Sequence, residues 1–139
     1  MTSAKLDNLV RIGKLKHEPP REDELAGLRR SGLSRLADAE NKKLAYESRF
    51  DLAYNAAHAL ALYALRRLGY RSENRYLVFQ VLPETAGLAA GHWRVLAKAH
   101  EKRNLAEYEG YLDLDERLLT DVLAATQALA GLLAAGERT

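Results

Sequence analysis

The sequence predicts an all-α protein: an up-and-down antiparallel helical bundle of four to five main helices plus a short one. Three observations predict it. Leu, Ala, Arg and Glu abound while strong β-formers are scarce, which suits helices. Between Ser48 and Leu68, apolar residues recur at spacings of three and four, the mark of a wide buried helix face. Apolar residues make up 47% of the 139 positions, enough for one sizeable core in one domain. Within it, residues 1–20 read as an N-terminal helix and linker, 21–134 as the bundle and 135–139 as a frayed tail.

The first helix is predicted from Ser3 to about Leu15, with Leu6, Leu9, Val10, Ile12 and Leu15 on its apolar side. Gly13 weakens it and Pro19-Pro20 ends the segment. Lys5, Arg11, Lys14, Lys16 and His17 read as its solvated face in preference to a nucleic-acid arm. Pro20 can open the second helix, whose first turn holds Glu22, Asp23 and Glu24, where acidic groups complement the helix dipole. Leu25, Leu28, Leu33 and Leu36 give it an apolar side as far as about Asn41. Residues 40–47 fit either a continuation or a turn.

The third helix, Ser48 to Leu68, is the centre of the bundle. Its apolar positions are Phe50, Ala53, Tyr54, Ala57, Leu60, Ala61, Ala64, Leu65 and Leu68. Gly69 follows as a C-cap, with Arg66 and Arg67 in the last turn. One polar line crosses this helix: Asp51, Asn55 and His58. Such a line needs partners if it is buried.

Tyr70 to Asn74 predicts a polar loop. Arg75 to Leu82 predicts a short helix, and Pro83 and Gly87 bracket a turn after it. A fourth main helix runs from Leu88 to about Glu109, with Trp93, Leu96, Ala97, Leu105 and Tyr108 expected to be buried. The short link from Gly110 to Asp113 sets the last helix antiparallel to it. Asp113 or Asp115 can cap that helix, and Leu118, Leu119, Val122, Leu123, Ala125, Leu129 and Leu133 continue it.

Several function classes lose support at once. The formal charge is only +2, so composition gives no electrostatic mandate for nucleic acid. The absence of cysteine removes disulfide and thiolate chemistry. No signal-like segment is visible and no apolar run approaches ~18–20 residues, so a cytoplasmic protein without a membrane partner is expected. The four histidines form no His-x3-His, and no Glu-x-x-His lies on a core helix, so no metal is expected. There is no Gly-rich phosphate loop and no Gly-x-Ser-x-Gly elbow, and no cofactor is expected. No segment offers the short turn and exposed basic helix of a helix-turn-helix.

A dense polar stripe closes the fourth helix. His100 stacks with Arg103 and Asn104, Arg103 with Glu107, and Asn104 with Tyr108. Arg103 is a permanent planar cation suited to phosphate, which Glu107 can orient. Asn104 both donates and accepts, and His100 titrates near neutral pH. Tyr108 and Tyr111 bring aromatic faces and phenols. Arg, His and Asn together suit phosphodiester chemistry. Spacing alone also fits an ordinary Arg103–Glu107 ion pair with Tyr108 packed in the core.

The run Ser48-Arg49-Phe50-Asp51-Leu52-Ala53-Tyr54-Asn55-Ala56-Ala57-His58, ending at Leu68-Gly69-Tyr70, resembles the central helix of HEPN (higher eukaryotes and prokaryotes nucleotide-binding) domains. Lys102-Arg103-Asn104-Leu105-Ala106-Glu107-Tyr108 resembles their signature. The resemblance spans roughly Leu25 to Leu133. It implies an HEPN-like bundle that forms a homodimer through the signature face and binds RNA or a nucleotide. Active members are metal-independent endoribonucleases carrying an Arg, four to six residues, then a His. Some are toxins partnered by small nucleotidyltransferases, and some members only bind.

By that motif Arg103 takes the phosphate-binding place and Asn104 the polar place beside it. The His place falls on Tyr108, whose phenol titrates near ~10 and is a poor base at neutral pH. His100, one turn earlier, and His58 are the candidate replacements. Tyr108 or Tyr111 can stack a base or accept a nucleotidyl group from a partner. Asp51, Asn55, His58 and Glu107 are expected around the site. The alternative is a non-catalytic dimer that binds another protein, such as a nucleotidyltransferase or antitoxin, with Arg103, Glu107 and Asp51 as a buried ion-pair network.

Overall fold

The longest apolar pattern in the chain becomes the axis of the molecule. In a computed structural model, which describes residues 3–110 and 116–137, helix α3 covers Tyr46–Arg67. It buries Phe50, Tyr54, Leu60 and Leu65 together with six alanines between Ala53 and Ala64. Alanine keeps the helix surface low, so neighbours approach closely. One such neighbour is α2, Glu22–Ala39. A β-carbon on Gly32 would lie 2.7 Å from the Leu60 side chain. Residues 40–45 form a turn, closed where Arg49 Nε donates to the Ala39 carbonyl at 2.9 Å.

Around α3 stand the short helices α4, Arg75–Gln80, and α5, Leu82–Ala86, and the long helices α6, Ala90–Glu109, and α7, Glu116–Glu137. All pack on α3 and share one hydrophobic core. The fold is thus an all-α helical bundle. Gly69 and Gly110 follow α3 and α6 at φ 88° and 80°, the left-handed conformation that favours glycine at a helix end. Asn74 caps α4 by accepting from Leu77 N at 3.1 Å. Pro83 lies inside α5, and Gly87 ends it at φ 74°. The link at 111–115, with the expected caps Asp113 and Asp115, falls outside the described residues.

Several expectations are corrected. Helix α1 covers only Ala4–Arg11. Gly13, at φ 79°, turns the chain, and Ile12 lies 60% exposed. Residues Lys16–His17 (β1) pair antiparallel with Tyr70–Arg71 (β2), Lys16 opposite Arg71 and His17 opposite Tyr70. Tyr70 is therefore buried rather than part of a polar loop, and its hydroxyl donates to Asp7 Oδ1 at 2.6 Å. Burial and the Asp7 carboxylate push that phenol up to about 12. Leu33 is exposed on α2. Leu105 and Tyr108 are exposed too, because the last turns of α6 run beyond the packed core. The tail is helical through Glu137.

Helix α7 carries a second correction. Residues Glu116–Gly136 have a mean hydropathy of 1.6 and are long and apolar enough to cross a membrane by length and composition. Here Leu118, Leu119, Val122, Leu129 and Leu133 are spent on the core.

Arg66, in the last turn of α3 as expected, is 1% exposed and fully engaged. Its Nε and Nη2 grip the Glu24 carboxylate at 3.2 and 3.0 Å. Nη1 donates to the carbonyls of Glu18 and Tyr70, and Nη2 to that of Pro19. A buried guanidinium is tolerable only when its donors are satisfied in this way. The result fastens the linker at 18–19 to α2, α3 and β2. The Glu24 carboxyl is held down to about 2, first by the Arg66 hydrogen bonds and also by Arg71.

Candidate functional site

The helical period places Asp51, Tyr54, Asn55 and His58 along one edge of α3, and His100, Arg103, Asn104 and Glu107 along one face of α6. Where the two meet, the fold leaves a cleft of about 220 Å³, lined by Tyr54, Asn55, Arg75, His100, Arg103, Asn104 and Glu107. Arg75 reaches it from the first position of α4.

Two hydrogen-bond chains cross the cleft. In the first, Arg103 Nε donates to Asp51 Oδ1 at 2.7 Å and Nη1 to Glu107 Oε1 at 3.2 Å. In the second, Asn104 Nδ2 lies 3.2 Å from His100 Nε2, and His100 Nδ1 lies 2.9 Å from Tyr54 Oη. As oriented, Asn104 donates to Nε2, so the ring proton sits on Nδ1 and is donated to Tyr54. Arg75 Nη1 also donates to Tyr54 Oη, at 3.4 Å, and its guanidinium lies 5.8 Å from the centre of the Tyr54 ring. That is within cation–π range.

Electrostatics follow from this packing. Burial, and then the Arg75 charge, lower the His100 imidazole below the usual histidine range. Both effects favour the neutral imidazole. His58 is pushed further, to about 4, by burial first and then by Arg75 and His100. It packs edge-on to Phe79 at 6.0 Å.

No protein-family model matches the chain, and no curated protein or solved structure matches it.

The structure brings together five of the residues singled out in the sequence: His100, Arg103, Asn104, Glu107 and Asn55. Asp51 stands beside them, bonded to Arg103. Asn55 Nδ2 is turned to the Asp51 carbonyl, at 2.8 Å, as well as lining the cleft. His58 does not line the cleft. Tyr108 is 90% exposed and does not line the cleft, which overturns its expected burial. Tyr111 lies outside the described residues. The Arg103–Asp51–Glu107 network exists, but it is open to solvent rather than buried, at 32%, 51% and 65% exposure.

Tyr54 and Arg75 were missed as site residues. Tyr54 carried a signal, since it follows Asp51 by three and precedes His58 by four on the polar edge. Arg75 carried none, because only the path from α3 through β2 brings it to the cleft. Among the described residues, no cluster of three or more histidine, cysteine or carboxylate side chains is arranged to hold a metal.

Proposed function

We propose that this chain is an HEPN-type RNA-binding protein that cleaves RNA at the Arg103 cleft without a metal. The carrying observation is the His100 imidazole held in one cleft with the guanidinium groups of Arg75 and Arg103. A neutral imidazole takes a proton, and guanidinium groups stabilise the charge that gathers on a phosphate. The 2′-hydroxyl of a bound ribose displaces the Asn104 amide from His100 Nε2 and attacks the adjacent phosphorus while that nitrogen accepts its proton. The bond to the 5′-oxygen breaks, and that oxygen leaves with the proton returned by the imidazolium. The products are a 2′,3′-cyclic phosphate and a 5′-hydroxyl. Arg103 neutralises the phosphate, Tyr54 orients the imidazole through Nδ1, Asn104 holds Nε2 until the ribose arrives, and Asp51 and Glu107 orient Arg103.

The test is RNA incubation with chelator present, comparing the native chain with Arg103→Ala and His100→Ala. Cyclic-phosphate ends from the native chain alone support the reading. Undiminished cleavage by both variants overturns it.

One observation favours a second reading, a non-catalytic interaction module. Arg103 already has two carboxylate partners, and Leu105 and Tyr108 beside it are exposed on the same helix. Under that reading the end of α6 meets a second copy or a partner protein. Concentration-dependent dimerisation lost in Leu105→Glu/Tyr108→Glu, with no RNA cleavage by the native chain, would select it.

A further inference from the structure

A second, larger groove of about 280 Å³ lies on the other side of the α4 N-terminus. Gly13, Lys14, Lys16, Arg71, Asn74 and Leu77 line it, with Ser72 and Glu73 between the strand and α4. The turn that stops α1 builds one wall: Gly13 at φ 79° swings the chain so that Lys14 and then Lys16 face the same opening. The ladder between β1 and β2 builds the other, since Lys16 is paired with Arg71.

The charges of this groove are unequally committed. Arg71 is bound to Glu18, and to Glu24 at 2.7 Å. Lys14 and Lys16 are exposed, and neither ammonium group is ion-paired among the described residues. Glu73 is the acidic residue of the lining. Ser72 and Asn74 add hydroxyl and amide groups, and Leu77 adds an apolar patch. That mixture suits a phosphodiester strand: mobile cations for phosphate, polar groups for sugar, an apolar wall for a base.

The groove and the Arg103 cleft are neighbours along the chain. Asn74 lines the groove, and the next residue, Arg75, lines the cleft. Tyr76 follows, partly exposed, with its ring 6.4 Å from that of His100. The first turn of α4 thus forms a ridge between two openings, with a cation and an aromatic face on the cleft side.

We infer that the groove is a second phosphate subsite, holding the backbone of a single-stranded RNA as it passes over the α4 ridge from the Arg103 cleft. The inference rests on reading that cleft as an RNA site. It adds a substrate property: strands long enough to cross the ridge bind more tightly than a dinucleotide that fills only the cleft. The cleft fixes the scissile phosphate, and Lys14 and Lys16 hold a flanking one.

Uncleavable 2′-O-methyl oligonucleotides test this on the full chain. An octamer and a dinucleotide are titrated against the native protein, Lys14→Gln/Lys16→Gln and Arg103→Ala, over a range of salt. The lysine substitutions lie at exposed positions, and unchanged thermal melts confirm that fold is not the variable. The double lysine variant is expected to weaken the octamer at least tenfold, with the dinucleotide unchanged. Its salt slope should fall by roughly 1.4, two contacts at about 0.7 each. Arg103→Ala is expected to weaken both probes. If the octamer is unaffected by the lysine substitutions while Arg103→Ala weakens it, the groove assignment is overturned and the cleft reading stands. An equal loss of both probes in the lysine variant also overturns it. If Arg103→Ala changes neither probe, the cleft reading fails and the groove assignment fails with it.

Discussion

Arg103 Nε donates to Asp51 Oδ1 at 2.7 Å, joining α6 to α3 across 52 residues of chain. Both side chains keep substantial contact with solvent, and water screens such a pair. A double-mutant cycle of Arg103→Ala and Asp51→Ala in denaturant unfolding should return a coupling of roughly 1 kcal/mol or less. A coupling of ~3 kcal/mol or more would make the pair a structural strut and undercut its role as a ligand-facing cation.

His100 is the proposed base, so its removal should act on chemistry rather than folding. His100→Ala is expected to slow cleavage on the order of 10²–10⁴-fold. The base works in its neutral form, and burial and Arg75 lower its pKa. The acid limb of the kcat/KM profile should therefore fall below the ordinary histidine value of 6.5. A limb above that value would point to another group. Tyr108→Phe should leave the profile unmoved, since the ring lies outside the cleft.

Arg66 should dominate the mutational map of stability. Truncation to Ala leaves three carbonyls without their donor and the Glu24 carboxylate with Arg71 alone, and breaking a buried pair of this kind costs about 3–5 kcal/mol. Arg66→Lys should recover only part of that loss, because an ammonium cannot reproduce the planar fork. Urea unfolding of both variants checks this; a loss under about 1 kcal/mol for Arg66→Ala would contradict the burial argument.

Acid should destabilise the protein in two stages. His58 has a folded value of about 4 against 6.5 when unfolded. Between those values the unfolded chain takes up a proton that the folded one refuses, so stability falls as pH drops from 6.5 to 4. Glu24 has a folded value of about 2 against 4.5. Its stabilisation is complete above 4.5 and is lost as pH falls towards 2. Thermal melts across this range should show both stages, with His58→Gln flattening the first and Glu24→Gln the second.

Gly32→Ala should destabilise despite the higher helix propensity of alanine. The added carbon meets Leu60 at 2.7 Å in a packed α2–α3 contact. Overpacking of this sort costs about 1–3 kcal/mol. Pairing it with Leu60→Ala should recover stability relative to the sum of the single changes.

The helices were legible where the signal is local. The apolar period of α3 and the glycines at 69 and 110 concern residues within a few turns of one another, and the structure has α3, α6 and their ends close to those places. The errors fall where distant chain decides the outcome. Arg66 was legible as a residue of the last helical turn, but its cover by the linker at 18–19 was not. Tyr70 looked like a loop residue until β1 paired with β2. Leu105 and Tyr108 kept the apolar period of α6, yet period alone does not say where the opposing surface stops. The candidate site divides in the same way: the α6 stripe was visible as spacing, whereas Arg75 enters from a separate helix.

Arg75 touches Tyr54, lines the cleft and lowers the basicity of both His58 and His100. Among the described residues, Glu107 is the carboxylate lining that cleft, and Arg103 holds it. An anion that settles against Arg75 cancels part of the field acting on His100, and so makes the imidazole a stronger proton acceptor on arrival.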